Sequence, residues 1–106
     1  MGVLERASKT WEHKGVKCAI VLRNLWIIEA FYCGYVQAPK WLTSKFPDYG
    51  EWPVEIHGGL TYGPDDDDFI GFDTGHGYSG YWDEDDVTNE VNRLAEQVIK
   101  LMEETK

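Results

Sequence analysis

His57, Asp73 and His76 bring two imidazoles and a carboxylate into the middle of the chain. Such a set suits a divalent ion that keeps positions open for water, the arrangement of a metal-assisted hydrolase. The spacing is unspecific, because Asp-x-x-His is common and no His-x-His or His-x-x-x-His pair accompanies it. A plainer reading has Asp73 accepting hydrogen bonds from loop amides, His76 ordering residues 75–80, and His57 half-buried and paired. Nucleophilic chemistry is less well supplied. Thr61, Thr74 and Ser79 offer hydroxyls near histidines, but no Gly-x-Ser-x-Gly elbow occurs. Cys33 precedes Gly34 in an apolar stretch, where burial raises a thiol pKa and favours a packing role.

Binding without turnover draws on more of the sequence. Glycines at 58, 59, 63, 71, 75, 77 and 80 let main-chain amides approach a ligand, and successive amides make an anion-accepting concavity. Tyr35, Tyr62, Tyr78, Tyr81 and Trp82 supply planar faces for a base, and Arg23, Lys40 and Lys45 supply cations for phosphate. The expected ligand-binding set is therefore His57, Gly58, Gly59, Thr61, Tyr62, Asp73 and His76, with Tyr35 and Trp82 as stacking walls. It holds no catalytic residue, resident metal or cofactor. Against it stands the reading that these glycines only permit positive φ in turns and that the tyrosines pack across a sheet.

Several elements must position these groups. Residues 16–36 are rich in β-branched and aromatic side chains, with Asn24 at a bend, which predicts an antiparallel hairpin. Residues 39–53 carry two prolines and read as a loop with a helical turn at 41–46. Val54 to His57 and Leu60 to Tyr62 predict a strand interrupted by a glycine bulge, paired with a strand at 69–73. Val87, Val91, Leu94, Val98 and Leu101 form one apolar stripe, with Glu90, Arg93, Glu96 and Lys100 on the other face. That pattern predicts an amphipathic helix over 87–104, capped by Asp85 or Asp86, with Glu96 pairing to Lys100. The expected fold is α+β: a mostly antiparallel, twisted sheet with the C-terminal helix packed on one face.

Four ordered blocks carry a resemblance: Cys33-Gly34-Tyr35-Val36, the run from His57 to Tyr62, the run from Gly71 to His76, and Leu94-Ala95-Glu96-Gln97. Together they resemble a family of small proteins found in bacteria, phages and prophages, over about residues 17–97. The resemblance implies a small α+β domain working in mobile elements. Family members often read Gly-Phe-Asp-Cys-Ala-His followed by Gly-Asp. Here Thr74 and Gly75 follow Asp73, and Gly77-Tyr78-Ser79-Gly80 follows His76.

The 106 residues match one domain, 1–106, and 42% hydrophobic with 14% aromatic residues is enough for a core. No apolar run is long enough for a membrane span, and Glu5, Arg6 and Lys9 interrupt any signal-peptide pattern, so a cytoplasmic location is expected, with the resemblance implying a bacterial host. The two buried-type cysteines agree with a reducing compartment. A net charge of -9 repels a phosphate backbone and argues against direct nucleic-acid binding. The charge is uneven, since residues 1–50 hold seven basic and four acidic side chains and the remainder is strongly acidic.

Taken together, these features predict a phage-type anti-defence accessory protein that sequesters a small nucleotide-like immune signal. Two alternatives stay open. The tracts Asp65 to Asp68 and Asp83 to Asp86 imitate a DNA backbone and would let an acidic inhibitor bind a basic protein partner. The other is the metal-dependent hydrolase built on His57, Asp73 and His76. A homo-oligomer is expected from the prevalence of symmetric dimers.

Overall fold

A computed structural model describes residues 2–23, 30–75 and 82–105. The expected bend at Asn24 and the candidate ligand His76, with Tyr78, Ser79 and Tyr81, lie outside the described residues. Four strands, β1 (Lys9–His13), β2 (Val16–Arg23), β3 (Phe31–Gln37) and β4 (Phe69–Asp73), form a sheet in the order β1-β2-β3-β4. Each neighbouring pair is antiparallel. Three helices accompany them: α1 (Val3–Arg6), α2 (Lys40–Thr43) and α3 (Glu84–Glu104). This is the expected α+β architecture, with α3 packed against β1, β2 and β3.

Strand alternation divides the core in two. On the α3 side, Cys18 and Ile20 of β2, Val36 of β3 and Ile70 and Phe72 of β4 meet Val87, Val91, Leu94, Val98 and Leu101 of the helix. On the other side, Ala19, Val21, Cys33, Tyr35 and Phe69 are covered by Val3 of α1. Gly34 lets the helix come close, because a Cβ there would lie 2.8 Å from the Phe72 ring and collide with Val91. Cys18 and Cys33 are free and buried on opposite faces, and burial pushes both thiols up to about 11, as their apolar setting predicts.

β1 was not foreseen in the sequence. It is short, and of its more covered positions, Lys9, Trp11 and His13, only Trp11 gives an apolar signal. Its signal is the two-residue link Lys14-Gly15, whose φ angles of 52° and 86° are those a tight hairpin demands. The strand expected over Val54 to Tyr62 does not form. Gly58 and Gly59 both take positive φ, 70° and 76°, and the Gly59 amide donates to the Ile56 carbonyl at 3.0 Å, so the chain turns where a bulge was expected. Only Tyr62 bridges to β4, opposite Gly71.

The helix begins at Glu84, earlier than its apolar stripe, and its cap is Asp83 in place of Asp85 or Asp86. Asp83 accepts from the Asp86 amide at 2.8 Å while Asp86 accepts from the Asp83 amide at 3.1 Å. This reciprocal box satisfies amides that the hydrophobic pattern cannot reveal. Glu96 turns to His13 and Lys14 at 3.1 and 3.0 Å, and no Glu96–Lys100 pair forms among the described residues. No helix among the described residues is long and apolar enough to cross a membrane.

Candidate functional site

The segment after Pro53 carries the candidate residues around the edge of β4. Glu55 and His57 are tied to α3: the Glu55 amide donates to Gln97 Oε1 at 2.7 Å and the His57 amide to Glu90 Oε2 at 2.6 Å. Leu60 still packs on the α3-side core, whereas Tyr62 packs on the opposite one. Between them the Thr61 amide donates to the Gly71 carbonyl at 2.9 Å, and the Gly71 amide donates to the Tyr62 carbonyl at 3.1 Å. The expected single receptor is thus divided by the sheet into two groups.

The first group lies on the α1 side. Tyr35, Thr61, Tyr62 and Asp73 line a concavity of about 240 Å³ together with Arg23, Phe31 and Cys33. Tyr35 and Tyr62 meet edge to face at 5.1 Å and 83°. Tyr62 donates its hydroxyl to Asp65 Oδ2 at 2.6 Å, and burial with this carboxylate contact pushes the phenol up to about 12. Burial raises the Tyr35 phenol as well. Thr61 Oγ1 donates to Asp73 Oδ2 at 3.2 Å, and the Gly75 amide donates to Asp73 Oδ1 at 3.0 Å. The last bond is the loop-amide role expected of Asp73. Gly71 makes room for the Tyr35 ring, which occupies the space a side chain would fill.

The second group lies on the α3 side. The His57 and Trp82 rings stack at 4.1 Å and 30°. Below them Glu90 accepts two bonds from Arg93, from Nε at 2.9 Å and from Nη2 at 3.0 Å, besides the His57 amide. Glu90 is buried, although the stripe places it on the solvent face. Burial favours its neutral form, but the bonds from Arg93 and the His57 amide outweigh that and hold its carboxyl below the ordinary value. Trp82, Asp86, Asn89, Glu90 and Arg93 border an open depression of about 440 Å³. His57 is half-buried as expected, but its ring is not paired: Nε2 is enclosed and has no hydrogen-bond partner among the described residues.

This orphan nitrogen makes a simple prediction. If the ring acts through its flat contact with Trp82, His57→Phe keeps that contact and removes the unsatisfied acceptor. Thermal unfolding of the variant should then match the wild type or exceed it, within about 1 kcal/mol. A loss well beyond that would show that the imidazole nitrogen itself is needed.

Gly58 and Gly59 are exposed at the turn between the two groups, and a Cβ at Gly59 would meet nothing within 4 Å. His57 and Asp73 act on opposite faces, so the pairing that a hydrolytic metal centre would use is not assembled by these two. No cluster of three metal-ligating side chains occurs among the described residues. Much of the acidic sequence has structural work. Asp65 Oδ1 accepts from the amides of Asp67 and Phe69 at 3.0 and 2.9 Å, and Asp68 pairs with Lys40 at 3.0 Å and accepts from Thr43 Oγ1 at 2.8 Å. Asp83 and Asp86 cap α3, and Glu84 faces Lys9 at 3.6 Å.

Sequence reasoning missed the roles of Glu90 and Arg93. Arg93 follows Glu90 by three, a spacing that brings the two together on a helix. The fold and the divided site define a four-stranded antiparallel meander backed by one long helix, with an aromatic concavity on the face away from that helix. No family model, curated protein or solved structure matches the chain.

Proposed function

We propose that the chain is a binding protein that captures a small nucleotide-like ligand at the α1-side concavity and holds it without turnover. The observation that carries this reading is the convergence of Tyr35, Thr61, Tyr62 and Asp73 with Arg23 around one depression. Two aromatic walls, a hydroxyl and a carboxylate offer a base both a stacking surface and edge partners. A depression of about 240 Å³ seats one ring, and the rest of the ligand lies along the open face. The resemblance to proteins of mobile elements supports a setting in which the ligand is an immune signal of the host and affinity, not rate, is selected. The acidic-inhibitor reading gains less support, since Asp65, Asp68, Asp83 and Asp86 are engaged in turns, caps and ion pairs.

Incubating the protein with a panel of nucleotide second messengers, then denaturing it by heat and analysing what is released, tests the reading. Intact ligand is expected. An altered ligand would make the protein an enzyme, and an empty concavity across the panel would remove the reading. Tyr62→Ala should weaken capture by about 10- to 100-fold, given roughly 1 to 3 kcal/mol for a base on an aromatic ring.

A further inference from the structure

Arg23 lines this concavity and Arg6 lies next to it, and neither forms an ion pair among the described residues. Alternation along β2 puts Ala19, Val21 and Arg23 on the α1 side, where the first two enter the core beneath Val3 and Arg23 reaches the rim opposite Phe31. Arg6 ends α1 on the same side, where its Nε donates to the Gly2 carbonyl at 3.4 Å and its side chain also meets the Tyr62 hydroxyl. The ion pairs among the described residues use Lys9, His13, Lys14, Lys40 and Arg93, and neither of these two.

Arg6 is close enough to Tyr35, Tyr62 and Cys33 to favour the ionised form of each, and Arg23 does the same at Tyr35 and Cys33. Two acids stand nearby and both are engaged: Asp73 accepts bonds from Thr61 and Gly75, and Asp65 from the Tyr62 hydroxyl and the amides of Asp67 and Phe69. A chain of net charge -9 thus has Arg23 in the lining of one aromatic depression and Arg6 beside its Tyr62 wall. Of the other cations considered for phosphate, Lys40 is held by Asp68 instead. Guanidinium forks match phosphate oxygens in pairs, and no local carboxylate has to be displaced from them first.

We infer that Arg6 and Arg23 form an anion subsite at the rim of the Tyr35–Tyr62 concavity, taking the phosphate of a ligand whose ring lies on Tyr62. The inference rests on the capture reading above and adds the charge class of what is captured. A neutral nucleoside would fill the depression and leave both arginines unused.

Calorimetric titration with adenosine, adenosine 5′-monophosphate and inorganic pyrophosphate tests it. The monophosphate should bind at least about tenfold more tightly than adenosine, with an affinity that falls as salt rises. In the double variant Arg6→Gln/Arg23→Gln that preference should shrink to near unity. In Arg6→Lys/Arg23→Lys it should be intermediate, because the charge stays and the paired geometry goes. Circular dichroism of both variants confirms that the fold is kept. Equal affinity for nucleoside and monophosphate, or a preference that survives the glutamine variant, overturns the subsite and leaves base capture standing. Pyrophosphate binding that needs both arginines, with neither adenosine compound bound, keeps the subsite and removes nucleotide capture. Binding of none of the three removes both.

Discussion

Gly71→Ala is expected to destabilise the protein by about 3 kcal/mol, read as a lower urea midpoint with an unchanged slope. A Cβ at this position would lie 2.5 Å from the Gly34 carbonyl oxygen and 2.8 Å from Tyr35 Cε1, and it would also collide with Tyr35 Cδ1. The carbonyl belongs to the neighbouring strand and has no rotamer to retreat into. Tyr35 is buried at 3% exposure, so its ring cannot swing out without opening the α1-side core. The same ring walls the concavity, and the variant should therefore lose ligand together with stability. Gly50→Ala is the control. A Cβ there meets only Asp48 Oδ1 at 3.5 Å, an ordinary contact, and the change should stay within about 0.5 kcal/mol. An unaltered midpoint for Gly71→Ala would mean that Tyr35 does not rest on this glycine.

The other large effect is expected at Glu90. Its carboxylate satisfies the His57 amide at 2.6 Å and both nitrogens that Arg93 presents, so Glu90→Ala leaves a covered amide without an acceptor. A loss of about 2 kcal/mol follows from that orphaned donor. The pH dependence has a definite sign. Because the folded protein holds this carboxyl below its ordinary value of 4.5, its contribution is complete above that pH and disappears as pH falls through the lowered folded value. Asp68 and Glu96 are lowered in the same direction, by Thr43 and Lys40 in the one case and by Lys14 and His13 in the other. Wild-type stability should thus decline below about pH 4.5, and Glu90→Gln should decline less steeply while retaining the slope of the other two. If the two proteins keep a constant gap between pH 7 and pH 3, the carboxylate of Glu90 is not what closes the loop onto α3.

Much of the fold was legible, from periodicity in the helix and from composition in the strands. The stripe from Val87 to Leu101 repeats often enough to specify a helix and its buried face, and the β-branched and aromatic runs of β2 and β3, buried on both faces at their centres, mark them as strands. β4 was legible for the same reason. What repeats too few times was not: β1 is five residues long, and its evidence was a Lys-Gly turn. The segment from Val54 to Tyr62 alternates like a strand, yet two consecutive glycines at positive φ turned it across the sheet edge.

That turn also decided the site. Tyr35, Thr61, Tyr62 and Asp73 were gathered as their types and order suggested, but His57 and Trp82 went to the other face. Side-chain chemistry is visible in a sequence, whereas the face a loop residue reaches depends on backbone path. Glu90 was misplaced because a carboxylate beside an apolar stripe reads as solvated until a covering amide and an arginine are known. Arg6 has no periodic signal, and it comes near Tyr62 only because α1 lies over β2.

Strand order has a consequence for how the molecule assembles. β1 and β2 pair with their immediate successors through short connections, while β4 joins β3 only after the long, mostly irregular stretch from Ala38 to Asp68 has been closed. Contacts near in sequence form at small entropic cost, and distant ones wait for that closure. The three-stranded ribbon is accordingly the natural nucleus, and the α1-side concavity, which needs β4 and Tyr62, is built last. The same hierarchy runs backwards in the native state, so the amides of Thr61 and Gly71 belong to the part that opens first.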